Sequence, residues 1–282
     1  MNVQENRTIN DVIVLGCGTS ILDLTQEEKN YINQCKTVIA INKYMAFYKM
    51  SGLLPTHVYF ADTHENSLMF LQHIFSVVRQ EKLEGLTFIL NSLTIPFSFK
   101  SQLTANLFVI KSKIRFAFWK HFLSQERLQD LKKAFYLILP SKCFYQYVII
   151  DSWLEKMPWA RNFQSPIFHY RGSLTSILNY CSIEYPNRKI YLVGNDFNGS
   201  EYFFEKELVN LPFDSSDWTT PLVKKENKHF SFQNHYGTTM ADIFPFILQS
   251  LTETGNELFC TNPNSLLVKE CKVPYGIWDC GL

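Results

Sequence analysis

Six short apolar runs, each closing on glycine, asparagine or aspartate, constrain this chain more than any other feature. They are DVIVLG (11–16), TVIAIN (37–42), HVYFAD (57–62), LTFILN (86–91), KIYLVGND (189–196) and ELFCTN (257–262). Near-continuous Val, Ile and Leu mark strands buried on both faces, and the amphipathic stretches between them supply covering helices. The pattern predicts one α/β domain with a largely parallel sheet. A turn and helix are expected over 20–35, with Asp23, Glu27 and Glu28 early in it, where the helix dipole favours acids. A short helix should join the second and third strands, another should follow RGSLTS (171–176), and a third should span about 239–254. Between 95 and 165 only SKIRFAFWKHFLSQERLQDLKKAF (112–135) has clear helical character. Residues 197–235 are aromatic, charged and polar, with Gly199, Pro212 and Pro221. They read as a lid inserted between two parts, 1–196 and 236–282, of one ligand-binding domain.

In an open parallel sheet the ligand lies beyond the carboxyl ends of the strands. Those ends carry Gly16-Cys17-Gly18-Thr19-Ser20, Asn42-Lys43, Asp62-Thr63-His64, Asn195-Asp196 and Thr261-Asn262. Amides, hydroxyls and glycine backbone in such a rim suit a nucleotide and a sugar. Ser20 and the amides after it stand where phosphate oxygens are received at a helix start. Taken singly, each position equally fits a small polar residue ending a strand in a turn.

Several chemistries are excluded by pattern. GCGTSI lacks the third glycine of the dinucleotide fingerprint, and the second strand ends in Asn42 instead of an acid. The P-loop, the G-x-S-x-G elbow and HExxH are absent. A formal net charge of +1 gives no general electrostatic case for nucleic acid, although Lys111, Lys113 and Arg115 form a local basic patch. The 7 cysteines include no CxxC pair, so free thiols in a reducing compartment are expected. The polar opening MNVQENRTIND lacks the apolar core of a signal peptide, and no window resembles a membrane span. A cytoplasmic protein is expected, with membrane contact at most peripheral.

Four segments, in order, resemble the bacterial sialyltransferases of glycosyltransferase family 42. VIVLGCGTSI is similar to the family's strand leading into G-N-G-P-S-L, and AINKYM to its C-N-Q-F. YRGSLTSILNYCS followed by KIYLVGNDF parallels an arginine, a hydroxyl-rich turn and helix, then K-E-I-Y-L-S-G-I-D-F. CTNPNSLL (260–267) is close to C-P-N-S-L-L. The anchors run from about residue 12 to 267.

The resemblance implies a single Rossmann-like domain of the GT-A-variant kind with a small lid. It also implies an inverting transferase that moves sialic acid from CMP-sialic acid to a bacterial surface glycan. No cofactor and no metal are implied, and none of the strand ends carries a D-x-D motif. The partners would be a nucleotide-sugar donor and an oligosaccharide acceptor of lipooligosaccharide or capsule. Family members tend to be oligomeric and to work at the inner membrane surface. On the match His235 is the general base, with His229 the preceding, non-catalytic histidine, and Tyr202 bonds the departing phosphate. The earlier lid tyrosine is missing, since Asn198 follows Phe197; Tyr170 and Tyr236 are candidates to compensate.

The same match puts Gly16, Cys17, Gly18, Ser20, Asn42, Lys43, Asp62, Arg171, Ser173, Thr175 and Asp196 in the substrate cleft. Asn264 and Ser265 support the nucleotide pocket. Three departures bear on the donor: Cys17 and Lys43 replace family amides, and Asp62 stands near another. An aspartate beside an anionic donor needs a cation such as Lys43. The alternatives are another CMP-nonulosonate or a different sugar nucleotide, or a noncatalytic relative that binds carbohydrate or nucleotide without turnover.

Overall fold

The computed structural model describes residues 2–61, 67–91, 146–150, 158–199, 201–213, 229–234 and 237–278. Seven strands form one parallel sheet in the order β5-β4-β3-β2-β1-β6-β7. They are β1 (Ile9–Leu15), β2 (Cys35–Ile41), β3 (His57–Phe60), β4 (Thr87–Asn91), β5 (Gln146–Ile150), β6 (Lys189–Val193) and β7 (Glu257–Cys260). All six neighbouring pairs are parallel. The fold is α/β and Rossmann-like, as the runs predict. β5 is an addition, from the stretch whose pattern is ambiguous, and the helical reading of 112–135 lies outside the described residues.

Alternate side chains of β1, β2, β3 and β6 enter two cores. Ile13, Leu15, Val38, Ala40, Val58 and Phe60 pack on one face, with Phe70 and Ile74 of α3 (Ser67–Gln80) and Ile32 of α1 (Gln26–Gln34). Val12, Val14, Ile39, Tyr59 and Leu192 pack on the other. Ile177 and Leu178 of α4 (Ser173–Glu184) and Phe244, Ile247 and Leu251 of α5 (Met240–Thr252) cover that second face. The result is three layers with the sheet in the middle.

The expected turn and helix over 20–35 divide into a 3-10 turn, Thr19–Asp23, and α1. Leu24 and Thr25 are extended between them. The Thr25 hydroxyl accepts from the Glu28 N–H while the Thr25 N–H donates to the Glu28 carboxylate, a capping box that fixes the start of α1. Asp23 therefore lies outside α1. Between β2 and β3 the expected short helix is the 3-10 stretch Asn42–Phe47 continuing into Tyr48–Ser51. Thr239 and Asp242 make a second capping box at the head of α5.

Of the stretch 197–235, residues 200, 214–228 and 235 lie outside the described residues. Its first part is firmly held. Phe203, Phe204 and Leu208 are buried in the first core, with Phe204 stacked on Phe47 at 4.3 Å between ring centroids. At the far edge of the sheet the C-terminal segment lies along β7. Cys260 N–H donates to Pro274 O at 2.9 Å, and Gly276 N–H donates to Cys260 O at 3.2 Å. The apolar tail thus docks on its own domain, with Trp278 buried and stacked on Tyr31. No helix among the described residues is long and apolar enough to cross a membrane.

Candidate functional site

β2 to β5 lie on one side of β1, and β6 and β7 on the other, so the strand order reverses between β1 and β6. A crevice opens beyond the carboxyl ends at such a reversal, and ligands of open α/β sheets bind there. Gly16-Cys17-Gly18 leaves β1 at this point and Gly194-Asn195-Asp196 leaves β6.

These two loops are bonded to each other. Gly16 N–H donates to Val193 O at 2.8 Å and Gly18 N–H to Gly194 O at 2.7 Å. A Cβ on Gly18 would overlap the Asp196 carboxylate, and one on Gly16 would overlap Gly194 O. Asp196, almost fully buried, accepts from the Ser20 N–H at 3.0 Å, the Ser20 hydroxyl at 2.5 Å and the Asn262 amide at 2.7 Å. Both donors of Ser20 are thus directed at a carboxylate of the chain itself. Ser20 closes the loop from within the five-residue 3-10 turn Thr19–Asp23. Buried Ser265 donates to Asn195 O at 2.6 Å and accepts from Leu267 N–H at 3.2 Å, so it supports the crevice from below. Asn264 is exposed and accepts from Lys269 at 3.2 Å.

A second group gathers from β2, β3 and α4. The Asn42 side chain accepts from Ala61 N–H at 3.1 Å and donates to Ser173 Oγ at 3.0 Å, which joins three elements across the cleft. Lys43 extends from the next position, its Nζ 5.5 Å from the Phe70 ring and 6.0 Å from the Tyr202 ring. Tyr202 stacks on Phe204 at 5.4 Å and pairs with Gly18 in an antiparallel bridge. Cys17 lies between these parts: its thiol donates to Ile41 O at 3.8 Å, and burial pushes its pKa up to about 12 against the opposing pull of Lys43. It is a neutral packing group.

α4 begins after Gly172 with no side-chain cap. Arg171, just before it, holds a left-handed φ of 48° and donates from Nη1 to Gln233 O at 2.8 Å. Thr175 is fully buried and directed inward, accepting from Tyr170 N–H at 2.8 Å, so it shapes the turn and does not face the cleft. The Tyr170 hydroxyl donates to Thr238 O at 2.9 Å.

His229 completes the group. Its ring meets Phe197 edge-on at 5.2 Å, and its N–H donates to Phe197 O at 3.1 Å. Ser231 N–H donates to His229 Nδ1 at 3.2 Å while the Ser231 hydroxyl donates to Arg171 O at 2.8 Å. That pattern leaves the ring proton on Nε2. Burial lowers the His229 pKa to about 4, and the charges of Arg171 and Lys43 act in the same direction. The imidazole is therefore neutral at pH 7 and lies within the field of two cations.

Asn42, Arg171 and Phe197, with φ of 48°, 48° and 55°, are non-glycine residues held in left-handed backbone around this one crevice. Such conformations are maintained where the surroundings over-determine them, often at functional sites. The sequence reading names Asn42 and Arg171 but gives Phe197 no role and sets His229 aside; backbone conformation and a contact across 32 residues leave no local pattern. Asp62, His235 and Tyr236 lie outside the described residues. Among the described residues no group of three or more His, Cys, Asp or Glu is placed to hold a metal ion. The five described cysteines, Cys17, Cys35, Cys181, Cys260 and Cys271, are free thiols. Comparison with family models, curated proteins and solved structures finds no match to this chain.

Proposed function

We propose that this chain is an inverting glycosyltransferase that moves a sialic acid, or a related nonulosonate, from its CMP-activated form to a hydroxyl of a bacterial surface glycan. One observation carries the reading: the four segments that resemble sialyltransferases meet at one end of the sheet through side-chain bonds. Asn42 of the second segment bonds Ser173 of the third, 131 residues away. Asn262 of the fourth bonds Asp196 of the third, and Asp196 holds Ser20 of the first. The resulting crevice combines two cations, amides and a neutral imidazole, which suits an anionic sugar nucleotide.

In the proposed reaction the acceptor hydroxyl attacks the anomeric carbon of the donor. The bond to the CMP phosphate oxygen breaks, and the hydroxyl proton passes to a base. His235 is the proposed base, since imidazole accepts protons near neutral pH. Arg171 and Tyr202 stabilise the charge that builds on CMP. The proposed setting is the cytoplasmic side of the inner membrane, on lipooligosaccharide or capsule, in an oligomer. A second reading, a protein that binds nucleotide without turnover, has one specific observation in its favour, the closure of Ser20 onto Asp196.

The test is a thermal-shift panel of CMP, CDP, UDP and GDP, followed by CMP release from CMP-sialic acid with EDTA present. Stabilisation by CMP, turnover in EDTA and loss of transfer in a folded His235→Ala protein are expected. Stabilisation by UDP alone sinks the donor assignment, and CMP binding without turnover on any acceptor selects the second reading.

A further inference from the structure

Away from the crevice, we infer that a groove on the side of the sheet covered by α1 and α3 is a second small-molecule site, for an organic ammonium with an apolar body. The groove runs between α3, the 3-10 stretch Asn42–Phe47 with its continuation Tyr48–Ser51, and the 3-10 turn Glu205–Asn210. Its volume is about 310 Å³, at the lower end of the range of small-ligand pockets. None of its lining residues belongs to the four segments that resemble sialyltransferases, so the inference stands apart from the function proposed above.

Three segments distant in sequence build the groove. His73, Val77 and Gln80 follow helical spacing, so they share one face of α3. Phe47 and Leu211 add apolar lining from the other two segments. Phe47 is buried and stacked on Phe204, and Leu211 packs against the same core, so the fold itself holds these walls in place. The charges along the groove do not balance. Lys49 and Glu81 pair with each other at 2.6 Å and contribute no net charge. Burial lowers the His73 pKa below its ordinary value, so this imidazole is neutral at pH 7. That leaves Glu207. It is half-buried, its carboxylate accepts from the neutral Asn210 amide at 2.8 Å, and no lysine, arginine or histidine among the described residues pairs with it. A carboxylate partly withdrawn from water beside apolar walls selects a ligand by sign and by shape. An ammonium donates to Glu207 in charge-assisted bonds, and the apolar body attached to it covers Phe47, Val77 and Leu211. An anion is repelled by the same carboxylate, and a bare inorganic cation leaves the apolar walls unfilled.

The experiment titrates the full-length protein with phenethylammonium, phenethyl alcohol and hydrocinnamate by ligand-observed NMR, and repeats the titrations on Glu207→Gln and Val77→Trp. The three probes share a ring and differ in the sign of their charge. The ammonium is expected to bind in the millimolar range or tighter, the alcohol roughly tenfold more weakly, and hydrocinnamate not at all. In Glu207→Gln the ammonium should fall to the affinity of the alcohol, while the alcohol stays unchanged. The larger side chain of Val77→Trp fills the groove and should weaken both. Near-ultraviolet circular dichroism identifies a variant that has lost its fold, and the comparison of probes on the parent protein needs no variant. Equal affinity for ammonium and alcohol, or a preference for hydrocinnamate, overturns the charge selection. Ammonium binding that is unchanged in folded Glu207→Gln overturns the site, as does the absence of binding by all three probes. These outcomes are independent of CMP binding in the crevice, so the failure of one proposal is not the failure of the other.

Discussion

The two banks of the crevice differ in what their polar groups face. On the β1–β6 bank Gly16 and Gly18 donate to Val193 and Gly194, Ser20 and Asn262 to Asp196, and Ser265 to Asn195. On the β2–α4 bank Asn42 and Ser173 join the walls, Lys43 lies over the Phe70 and Tyr202 rings, Arg171 bonds Gln233 O, and the buried His229 ring meets Phe197. The glycine-rich bank, which looks most like a ligand motif, is the one whose donors are turned inward. A glycine-and-serine turn after a strand can serve the chain's own carboxylate as readily as a phosphate, and only the partner of its N–H groups separates the two.

The largest test of this contrast is Gly18→Ala. The added methyl meets a carboxylate fixed by Ser20 and Asn262, so either the loop shifts or three hydrogen bonds are lost. A loss of about 2–4 kcal/mol in urea-unfolding stability is expected. Unchanged stability would show that the bank is loose and the contrast false.

A smaller effect comes from the other bank through pH. Burial holds His229, and also His57 and His169, near 4 in the folded protein, below the ordinary 6.5. On acidification the unfolded chain binds these protons first, so stability falls as pH drops from about 6.5 to about 4 and levels off below. Urea midpoints measured from pH 7.5 to 4 should decline accordingly, and His229→Gln should remove roughly a third of the slope if the three sites contribute equally. An unaltered slope in His229→Gln would place the imidazole in solvent and remove it from the cationic bank.

The smallest expected signal is Cys17. With its pKa near 12, its thiol should react with iodoacetamide at pH 8 far more slowly than a free cysteine. Fast labelling of this position, followed by mass spectrometry, would mean that the floor between the banks is open.

Much of the fold is legible in sequence because parallel strands buried on both faces read as continuous apolar runs rich in Val, Ile and Leu, as in Val12–Leu15 and Val38–Ala40. QYVII of β5 carries the same kind of signal but sits at the sheet edge inside a stretch without clear periodicity. The capping box of Thr25 and Glu28 is also readable, and it marks the true start of α1 better than the acids do. The site is legible as residues but not as roles. Asp196 and Ser20 are 176 residues apart, and their bond, which decides what Ser20 does, depends on the sheet having formed. The same holds for Arg7, whose guanidinium donates to the carbonyls of Val3, Cys35 and Leu54, a bracing that no local pattern announces.

The segment lying against β7 has a consequence for how copies of this chain can meet. At Cys260 the outward-facing N–H and C=O are already taken by Pro274 and Gly276. A foreign strand approaching that side finds its template occupied at the carboxyl end of a four-residue strand. Growth of the sheet by strand addition is blocked there, so self-association on that flank must proceed through side-chain packing, with Tyr275 and Ile277 exposed on the blocking segment itself.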